Sequence, residues 1–271
     1  MDEPRFEFGG NWRRFLAVLD DSRIEFAQAA LCDMLGTDDL SGTRFLDIGA
    51  GSGLSSLCAR RLGANVSSFD YDAEAVACVA EVKRRYFPRD DDWSIERGSI
   101  MDKAYVDSLG TFDIVYSWGV LHHTGAMWAA LENASVLVAE GGTLFVSIYN
   151  DQRWISSLWR AVKHAYVGAP RAVQNLLLIP SLAVVWGPNC VKNLALAADP
   201  LKDWKAYRSA RGMSPWHDLV DWVGGYPFEV ARPEEIFDYY RKRGFALERL
   251  TTCGGGKGCN EFVFLKARRP A

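Results

Sequence analysis

The sequence predicts an α/β protein with a doubly wound parallel sheet, and three observations support this fold class. The apolar run Phe45–Ile48 leads directly into a loop with glycine at every second position, which is typical of a buried strand, a tight turn and a helix start. Further apolar strand-like segments then alternate with helical ones, giving five strands and four helical segments. A stretch of about eighty residues after the fifth strand is far longer than an ordinary connection and indicates an insertion.

Length and composition indicate one large domain with embellishments. The chain has 271 residues, of which 49% are hydrophobic, so it can bury a large core. Its 31 basic and 34 acidic residues give a net charge of −3, and the scattered basic residues argue against a nucleic-acid partner. The six cysteines show no C-x-x-C pair and no metal-ligand spacing, so we expect no metal. The acidic start Met1–Pro4 does not resemble a signal peptide, and we expect a cytoplasmic protein with reduced thiols.

Two helices are predicted before the first strand. Apolar residues recur at helical spacing through residues 15–31, and Gly36 ends the second helix. The prefix before them contains Phe6, Phe8 and Trp12, which is unusual for a solvated tail. The prefix either packs on the core or folds back as a lid over a bound ligand, and the sequence leaves both interpretations open.

The glycine loop predicts a binding site for a nucleotide-like cofactor. Gly49, Gly51 and Gly53 let the backbone approach a ligand without an intervening Cβ atom. A dinucleotide-binding turn, G-x-G-x-x-G/A, needs a small third residue so that helix and strand can pack closely, and Leu54 holds that position. The loop therefore argues against an NAD-dependent oxidoreductase.

The second predicted strand, Val66–Asp70, ends in an acid. Because the first two strands are neighbours in such sheets, Asp70 is placed to accept hydrogen bonds from a ribose diol. Asp72 is the alternative for this role, although it also suits the N-cap of the helix Ala73–Tyr86. A third strand follows at Trp93–Glu96.

The fourth strand and its exit loop span residues 112–123, and a helix follows at 127–137. Glycines at 141–142 predict a turn into the fifth strand. Histidine titrates near neutral pH, so His122 and His123 on the exit loop are candidates for a general base.

The insertion, residues 151–232, is predicted to be mainly helical. Its middle, residues 176–196, is very apolar, but Pro180 and Pro188 interrupt it before the ~20 uninterrupted apolar residues that a membrane span requires. Core packing or self-association as a homodimer is the main expectation for this stretch. Peripheral contact with a membrane or a lipid-like substrate is the lesser alternative.

The C-terminal part returns to the sheet. Pro233 opens a helix that runs to Arg243, and strands six and seven are predicted at 246–251 and 261–265. The glycine-rich run Cys253–Cys259 between them is expected to be a flexible turn with two ordinary thiols.

Taken together, these motifs resemble class I S-adenosylmethionine (SAM) dependent methyltransferases of the bacterial small-molecule type. The resemblance covers residues 42–150 and 233–266 and rests on Asp47-x-Gly49-x-Gly51-x-Gly53, Asp70, the Gly98 loop, the Asp113 strand with His122-His123 and the Gly141-Gly142 strand. It implies a Rossmann-like seven-stranded sheet with an antiparallel last strand. It also implies a helical cap (1–42), a SAM domain (43–150 and 233–271) and an insertion (151–232) that forms a lid over the acceptor.

The resemblance implies that SAM binds at the glycine loop and the neighbouring strand ends. The expected cofactor residues are Asp47, Gly49, Ala50, Gly51, Gly53, Asp70, Tyr71, Ser99, Ile100 and Trp118. Ile100 should cover one face of the adenine, and Ser99 stands where the superfamily commonly has an acid.

The acceptor site is expected at the exit of the insertion. Aromatic and polar residues cluster there around glycines and prolines, a mixture typical of a ligand pocket, although an irregular structural loop is the alternative. The expected acceptor residues are Tyr149, Trp216, Trp222 and Tyr226, and His217 joins His122 and His123 as a candidate base.

The expected function is transfer of a methyl group from SAM to oxygen or nitrogen of a small molecule, such as a sugar or a secondary metabolite. The protein would act mainly by positioning, which can contribute up to ~7–11 kcal/mol in well-oriented reactions. The alternative is a non-catalytic SAM-fold module for binding or assembly. The intact glycine loop together with Asp70 favours the enzyme.

Overall fold

A computed structural model describes residue 6 and residues 8–205 and 215–268, without the side chains of residues 217, 218 and 221. A seven-stranded sheet runs through the middle of the molecule in the order β3-β2-β1-β4-β5-β7-β6. The strands are β1 (Arg44–Ile48), β2 (Asn65–Asp70), β3 (Trp93–Arg97), β4 (Phe112–Trp118), β5 (Val138–Tyr149), β6 (Phe245–Thr251) and β7 (Cys259–Lys266). Strands β1 to β5 pair in parallel, and β7 pairs antiparallel with both β5 and β6. The predicted doubly wound sheet with an antiparallel last strand is confirmed.

Helices cover both faces of this sheet. They are α1 (Gly9–Leu16), α2 (Asp21–Leu35), α3 (Leu54–Arg61), α4 (Ala73–Tyr86), α5 (Lys103–Leu109), α6 (Met127–Val136), α7 (Trp154–Gly168), α8 (Arg171–Ala195), α9 (Pro215–Gly224) and α10 (Pro233–Arg241), with a 3₁₀ turn at Leu121–His123. One apolar core joins α6 and α10 to the sheet, and a second joins α2, α3 and α4 to the opposite face. The layers leave the carboxyl ends of β1, β2, β4 and β5 open toward the insertion, where open α/β sheets bind their ligands.

The start of β5 differs from the prediction. The glycines at 141–142 were expected to form a turn before the strand, yet the strand already begins at Val138. The pairing with β4 shifts register between Phe112 and Ile114, and Gly141 has φ +76°. These glycines therefore form an irregularity inside the strand, because positive φ lets glycine accommodate an extra residue without ending the ladder.

The insertion is helical, as predicted, and has a small core of its own. Its buried apolar residues are Trp159, Tyr166, Leu178, Leu219, Val223 and Phe228. The two prolines at 180 and 188 break the apolar pattern but not the helix, since α8 continues through both for 25 residues. None of the helices that the structure describes combines the length and hydropathy of a membrane-spanning segment.

The N-terminal prefix connects the sheet domain with the insertion. The Gly9 N–H donates to the Asp72 carboxylate at 2.8 Å, and Arg13 forms an ion pair with Glu74 at 2.8 Å. The Phe6 N–H donates to the carbonyl of Tyr226 at 3.0 Å. The prefix is therefore anchored at both ends and lies across the open edge of the sheet.

Candidate active site

A cavity of about 1400 Å³ lies at the carboxyl ends of the central strands. Pockets for single drug-sized ligands usually enclose about 300–1,000 Å³. This cavity therefore has room for a nucleotide-like cofactor and a second molecule together. Its walls divide into a polar half around the glycine loop and an aromatic half beneath the insertion, which we call the cofactor half and the acceptor half.

The glycine loop shapes the cofactor half by backbone geometry. Gly49, Gly51 and Gly53 have φ values of +71°, +54° and +80°, a region that other residues rarely adopt. A Cβ atom on Gly49 would lie 2.4 Å from the Val120 side chain, and one on Gly53 would lie 3.0 Å from the Val79 backbone. The glycines thus allow the loop to approach both the β4 exit loop and helix α4.

Asp70 is held by two backbone donors. Its carboxylate accepts the N–H of Gly51 at 3.0 Å and the N–H of Asp72 at 2.9 Å. Burial raises the pKa of this carboxyl, while the backbone hydrogen bonds oppose that shift. Each oxygen retains acceptor capacity, and Asp70 lines the cavity, so the side chain is suited to accept from a diol. Asp72 instead caps α4 by accepting the Glu74 N–H at 2.8 Å, which confirms the predicted cap.

The loops after β2 and β3 complete the cofactor half. Tyr71, Ser99 and Ile100 all line the cavity. Ser99 turns its hydroxyl toward the Met101 N–H at 3.1 Å, and the Ile100 carbonyl accepts from the Asn133 amide at 2.7 Å. These local bonds fix the loop against which the expected adenine would pack.

Asp47 lies beneath the glycine loop in a buried polar network. It accepts from the Ser56 hydroxyl at 2.6 Å, Ser56 bonds to Ser68 at 2.7 Å, and Trp93 donates to Ser68 at 2.9 Å. Burial raises the pKa of Asp47 to about 7, although the bond from Ser56 opposes the shift. The network ties β1, β2, β3 and α3 together directly behind the loop.

Aromatic residues of the prefix cover the glycine loop and the β4 exit. A Cβ atom on Gly51 would meet the Trp12 indole at 3.0 Å, and the Phe8 ring lies 5.1 Å from the His123 ring. Phe6, Phe8 and Trp12 all line the cavity. The prefix thus borders the ligand site and also packs on the apolar cores through Trp12 and Phe6, which fits both interpretations.

The two histidines of the β4 exit loop occupy different environments. His122 is fully buried, its Nδ1 accepts the Tyr149 N–H at 3.3 Å, and it does not line the cavity. Burial holds its pKa well below the usual value, with contributions from His123 and Lys163. Neighbouring side chains on a 3₁₀ turn point about 120° apart, so the two rings face different surroundings. The sequence does not show which of the two faces the cavity.

His123 lines the cavity and has a defined tautomer. Its Nδ1 lies 2.7 Å from the Pro227 carbonyl, which can only accept, so Nδ1 carries the proton and Nε2 is the acceptor. Burial, and to a lesser degree Lys163, lowers the pKa of His123 to about 3. The ring is therefore neutral at physiological pH and offers a hydrogen-bond acceptor to a bound molecule.

The acceptor half is walled by aromatic residues, several of which were expected. Tyr149, Trp222 and Tyr226 line it, and the rings of Tyr149 and Trp222 lie 5.2 Å apart. Trp216 does not line the cavity, although it was expected to, and its side chain is 44% exposed. Trp216 and Trp222 are six residues apart on α9, so they project about 120° apart around the helix axis. The side chain of His217 lies outside the described residues.

Several wall residues of the acceptor half were missed by the sequence analysis. Helix α2 contributes an apolar stripe and α8 contributes its inner face; these residues are Phe26, Ala27, Ala30, Leu31 and Met34 from α2, and Val185, Trp186 and Asn189 from α8. The stripe on α2 follows the i, i+3, i+4, i+7 spacing of one helix face. That spacing predicted a buried face, but nothing local indicated that part of it would border a cavity.

The β6–β7 hairpin adds two charged residues at the cavity wall. The Lys257 ammonium lies 4.7 Å from the Trp222 ring centre, and Glu261 accepts from the Trp118 indole at 2.8 Å. Asn150 holds the hairpin in place, because its N–H donates to the Gly258 carbonyl at 2.9 Å and its amide to Gly256 at 3.1 Å. The expected flexible turn is thus tied to the end of β5. Trp118, expected at the cofactor, lies where the two halves meet.

No group of three or more His, Cys, Asp or Glu side chains in the described part of the chain is arranged to hold a metal ion.

Comparison with known proteins identifies a family and a set of folds. The model of a methyltransferase domain family matches residues 19–223. A ubiquinone biosynthesis O-methyltransferase of Xanthomonas oryzae pv. oryzae is 33% identical over 135 residues, which is 50% of this chain and 52% of that protein. A protein of the same description from Xanthomonas campestris pv. campestris is 32% identical over the same length. The chain thus spans about half the length of the curated relatives it matches.

Solved structures share the fold at low identity. The magnesium protoporphyrin IX methyltransferase of Synechocystis, crystallised with S-adenosylhomocysteine, is 13% identical with a TM-score of 0.55, covering 94% of this chain and 93% of that chain. A methyltransferase of Haloferax volcanii, in complex with the Trm112 activator, is 14% identical with a TM-score of 0.55, covering 98% of both chains. At this identity the likeness concerns the fold alone.

Proposed function

This chain belongs to the methyltransferase domain family, and we propose that it transfers a methyl group from SAM to an oxygen of a largely apolar small molecule. The observation that carries the proposal is the cavity itself, which joins a glycine-cradled polar half to an aromatic half in one space of about 1400 Å³. The first half suits the cofactor and the second suits an acceptor.

The residues of the cofactor half fit SAM. Gly49, Ala50 and Gly51 line the cavity, so a ligand can approach the loop backbone, and the Trp12 indole lies against Gly51 at the same place. Asp70 offers carboxylate oxygens for a ribose diol, and Ile100 offers an apolar surface for an adenine. When bound, SAM would supply an electrophilic methyl group, carried on a sulfonium sulfur that leaves as the neutral sulfide of S-adenosylhomocysteine.

Oxygen is favoured as the attacking atom by the relatives and by His123. The curated relatives are O-methyltransferases. Nε2 of His123 is an acceptor at the cavity wall, suited to receive the hydrogen bond of a hydroxyl and so to orient its lone pair. Since the pKa of His123 is lowered to about 3, it is a weak base and matches an acidic hydroxyl such as a phenol better than an alcohol.

An apolar acceptor is favoured over a sugar by the walls of the acceptor half. Trp186, Trp222, Tyr149 and the α2 stripe offer large aromatic and aliphatic surfaces with few polar atoms. Sugar hydroxyls that face these apolar surfaces would lose water without gaining a partner, which costs free energy. A phenolic or similar secondary metabolite buries its ring against these walls instead.

The proposal is tested by methyl transfer from labelled SAM to a panel of phenols, amines and sugar nucleotides. We expect label in the phenols, more with apolar substituents than without. Label in sugar nucleotides only would overturn the acceptor class. Transfer to none of the panel, with a thermal shift on SAM addition, would favour the non-catalytic module. SAM at a hundred times its dissociation constant should raise the free energy of unfolding by ~2.7 kcal/mol, whereas NAD should not.

A further inference from the structure

Helix α8 exposes a continuous apolar face to solvent. At about 100° per residue, seven positions fall within an arc of roughly 80°. They are Val173, Leu176, Pro180, Val184, Gly187, Val191 and Leu194. Leu176, Val184, Val191 and Leu194 are each between 62% and 66% exposed. We call these seven residues the outer face of α8.

The opposite side of the same helix meets the protein. Leu178 and Ser181 are buried in the insertion, and Val185, Trp186 and Asn189 line the acceptor half of the cavity. Helix α8 is therefore apolar on both sides, and only its inner side packs against the rest of the protein. Single exposed apolar residues are ordinary on protein surfaces. An apolar stripe about 30 Å long usually marks a site that contacts another molecule or a membrane.

The charge distribution around this helix indicates which kind of surface its outer face contacts. Between residues 152 and 198 the chain has no aspartate or glutamate, while it has five basic residues: Arg153, Arg160, Lys163, Arg171 and Lys192. All of these except Lys163 are exposed. This stretch therefore carries a formal charge of +5, whereas the chain as a whole carries −3, so the acids of the chain lie elsewhere.

We propose that the outer face of α8 docks on the surface of a membrane that contains anionic lipids. An exposed apolar helix face within an acid-free, net basic segment is suited to lie in the interface, where apolar side chains enter the acyl boundary and basic ones meet anionic headgroups. Trp154 and Leu158 of α7 are also exposed, and Trp is favoured at such interfaces. This docking goes beyond the proposed methyl transfer and does not depend on it.

A second copy of the chain fits this face less well. A symmetric dimer through α8 would bring the acid-free stretch against itself and place like charges together, which disfavours association. An anionic membrane surface complements both the apolar and the basic character. Docking would also bring the acceptor half, walled by the inner side of α8, close to the lipid phase from which an apolar acceptor can enter.

Cosedimentation with vesicles tests the proposal. The full chain is mixed with vesicles of phosphatidylcholine, with or without phosphatidylglycerol. We expect binding to the anionic vesicles, at least about tenfold weaker binding to the neutral ones, and loss of binding at high salt. The absence of binding to anionic vesicles, or equal binding to both kinds, would overturn the proposal.

Two matched variants locate the docking surface. Leu176→Asp/Val191→Asp places two carboxylates on the outer face, and Val18→Asp/Val136→Asp places two on exposed residues elsewhere, so both change the net charge equally. The first should reduce binding by about tenfold or more, and the second should retain most of it. Equal loss of vesicle binding in both variants would show that net charge alone causes the loss, and it would overturn the assignment of the docking surface to α8.

Two controls keep folding and self-association apart from docking. Both variants should show the same thermal shift with S-adenosylhomocysteine as the wild type, which does not require methyl transfer. If the first variant is unfolded, Leu176→Ser/Val191→Ser replaces it with the same expectation. Sedimentation velocity should give the same mass for wild type and variants, and a wild-type dimer dispersed by the outer-face substitutions would overturn the proposal in favour of a second copy.

Discussion

The two halves of the cavity are built by different means. The cofactor half is made by backbone, since the loop at Gly49–Gly53 and the bonds to Asp70 come from segments that follow one another closely in the chain. The acceptor half is made by side chains from α2, α8, α9 and the β6–β7 hairpin, which lie far apart in sequence. A backbone-built site tolerates few substitutions, whereas a wall of side chains can change with the acceptor. We therefore propose that the fold fixes cofactor binding and that acceptor specificity resides in the insertion and α2.

Among the substitutions that test this comparison, Gly51→Val is expected to have the largest effect on cofactor affinity. The added Cβ would lie 3.0 Å from the Trp12 indole, and φ at this position is +54°, which a β-branched residue rarely adopts. We expect no measurable binding of S-adenosylhomocysteine by calorimetry. Gly42→Val is the matched control, because φ there is +74° and nothing lies within 4 Å of the added Cβ. It should share the backbone strain and retain the affinity, and unchanged affinity in Gly51→Val would show that the loop does not hold the cofactor.

A smaller effect is expected from His123→Ala. We propose that His123 acts on the acceptor, so the variant should lose turnover and keep its affinity for the cofactor. Since His123 is a weak base, we expect kcat to fall about tenfold to a hundredfold, at or below the low end of what general bases contribute. Val136→Ala, at an exposed position of α6 that does not line the cavity, is the control and should be fully active. Full activity in His123→Ala would mean that the acceptor needs no partner at this position.

The prefix joins the two halves, and Trp12→Ala tests whether it acts as a cover. Trp12 lies against Gly51, so its loss should weaken cofactor binding by about tenfold, the scale of a buried aromatic contact of roughly 1–1.5 kcal/mol. Hydrogen exchange in the wild type should show residues 8–14 protected when SAM is added. Identical exchange with and without SAM would make the prefix an ordinary part of the core.

A separate prediction concerns the pH dependence of stability at His123. Its pKa is lowered to about 3 in the folded state, while an unfolded histidine titrates near 6.5. Between these values the unfolded chain binds the extra proton, so the contribution of His123 to the free energy of unfolding falls as pH decreases from 6.5 and is constant above it. His123→Gln removes this titration. Urea unfolding of both proteins should show the wild type losing stability faster on acidification, and parallel curves would contradict the assigned environment.

The contrast between the two halves also explains what the sequence could predict. The order of the strands, the glycine loop, Asp70 and the cap at Asp72 are local patterns, and the structure places them as expected. The start of β5 was misplaced because glycine pairs mark turns and strand irregularities alike.

The acceptor half was predicted in part, since it depends on which sides of distant helices face each other. Tyr149, Trp222 and Tyr226 reach the cavity, but Trp216 projects elsewhere on the same helix. Lys257 and Glu261 belong to a hairpin whose glycines predicted only a turn. Its position depends on bonds to Asn150, about a hundred residues earlier in the chain. Such convergence has no local signature in the sequence.

The most direct test of the division into two halves is a paired measurement on Asp70→Ala and Trp186→Ala, with affinity for S-adenosylhomocysteine and KM for a phenolic acceptor determined in each. Asp70→Ala should weaken cofactor binding by about 1.5–3 kcal/mol, the scale of hydrogen bonds to a charged group, and leave the acceptor KM unchanged. Trp186→Ala should raise the acceptor KM and leave cofactor affinity unchanged. Equal losses of both quantities in both variants, or the reverse assignment, would contradict the account.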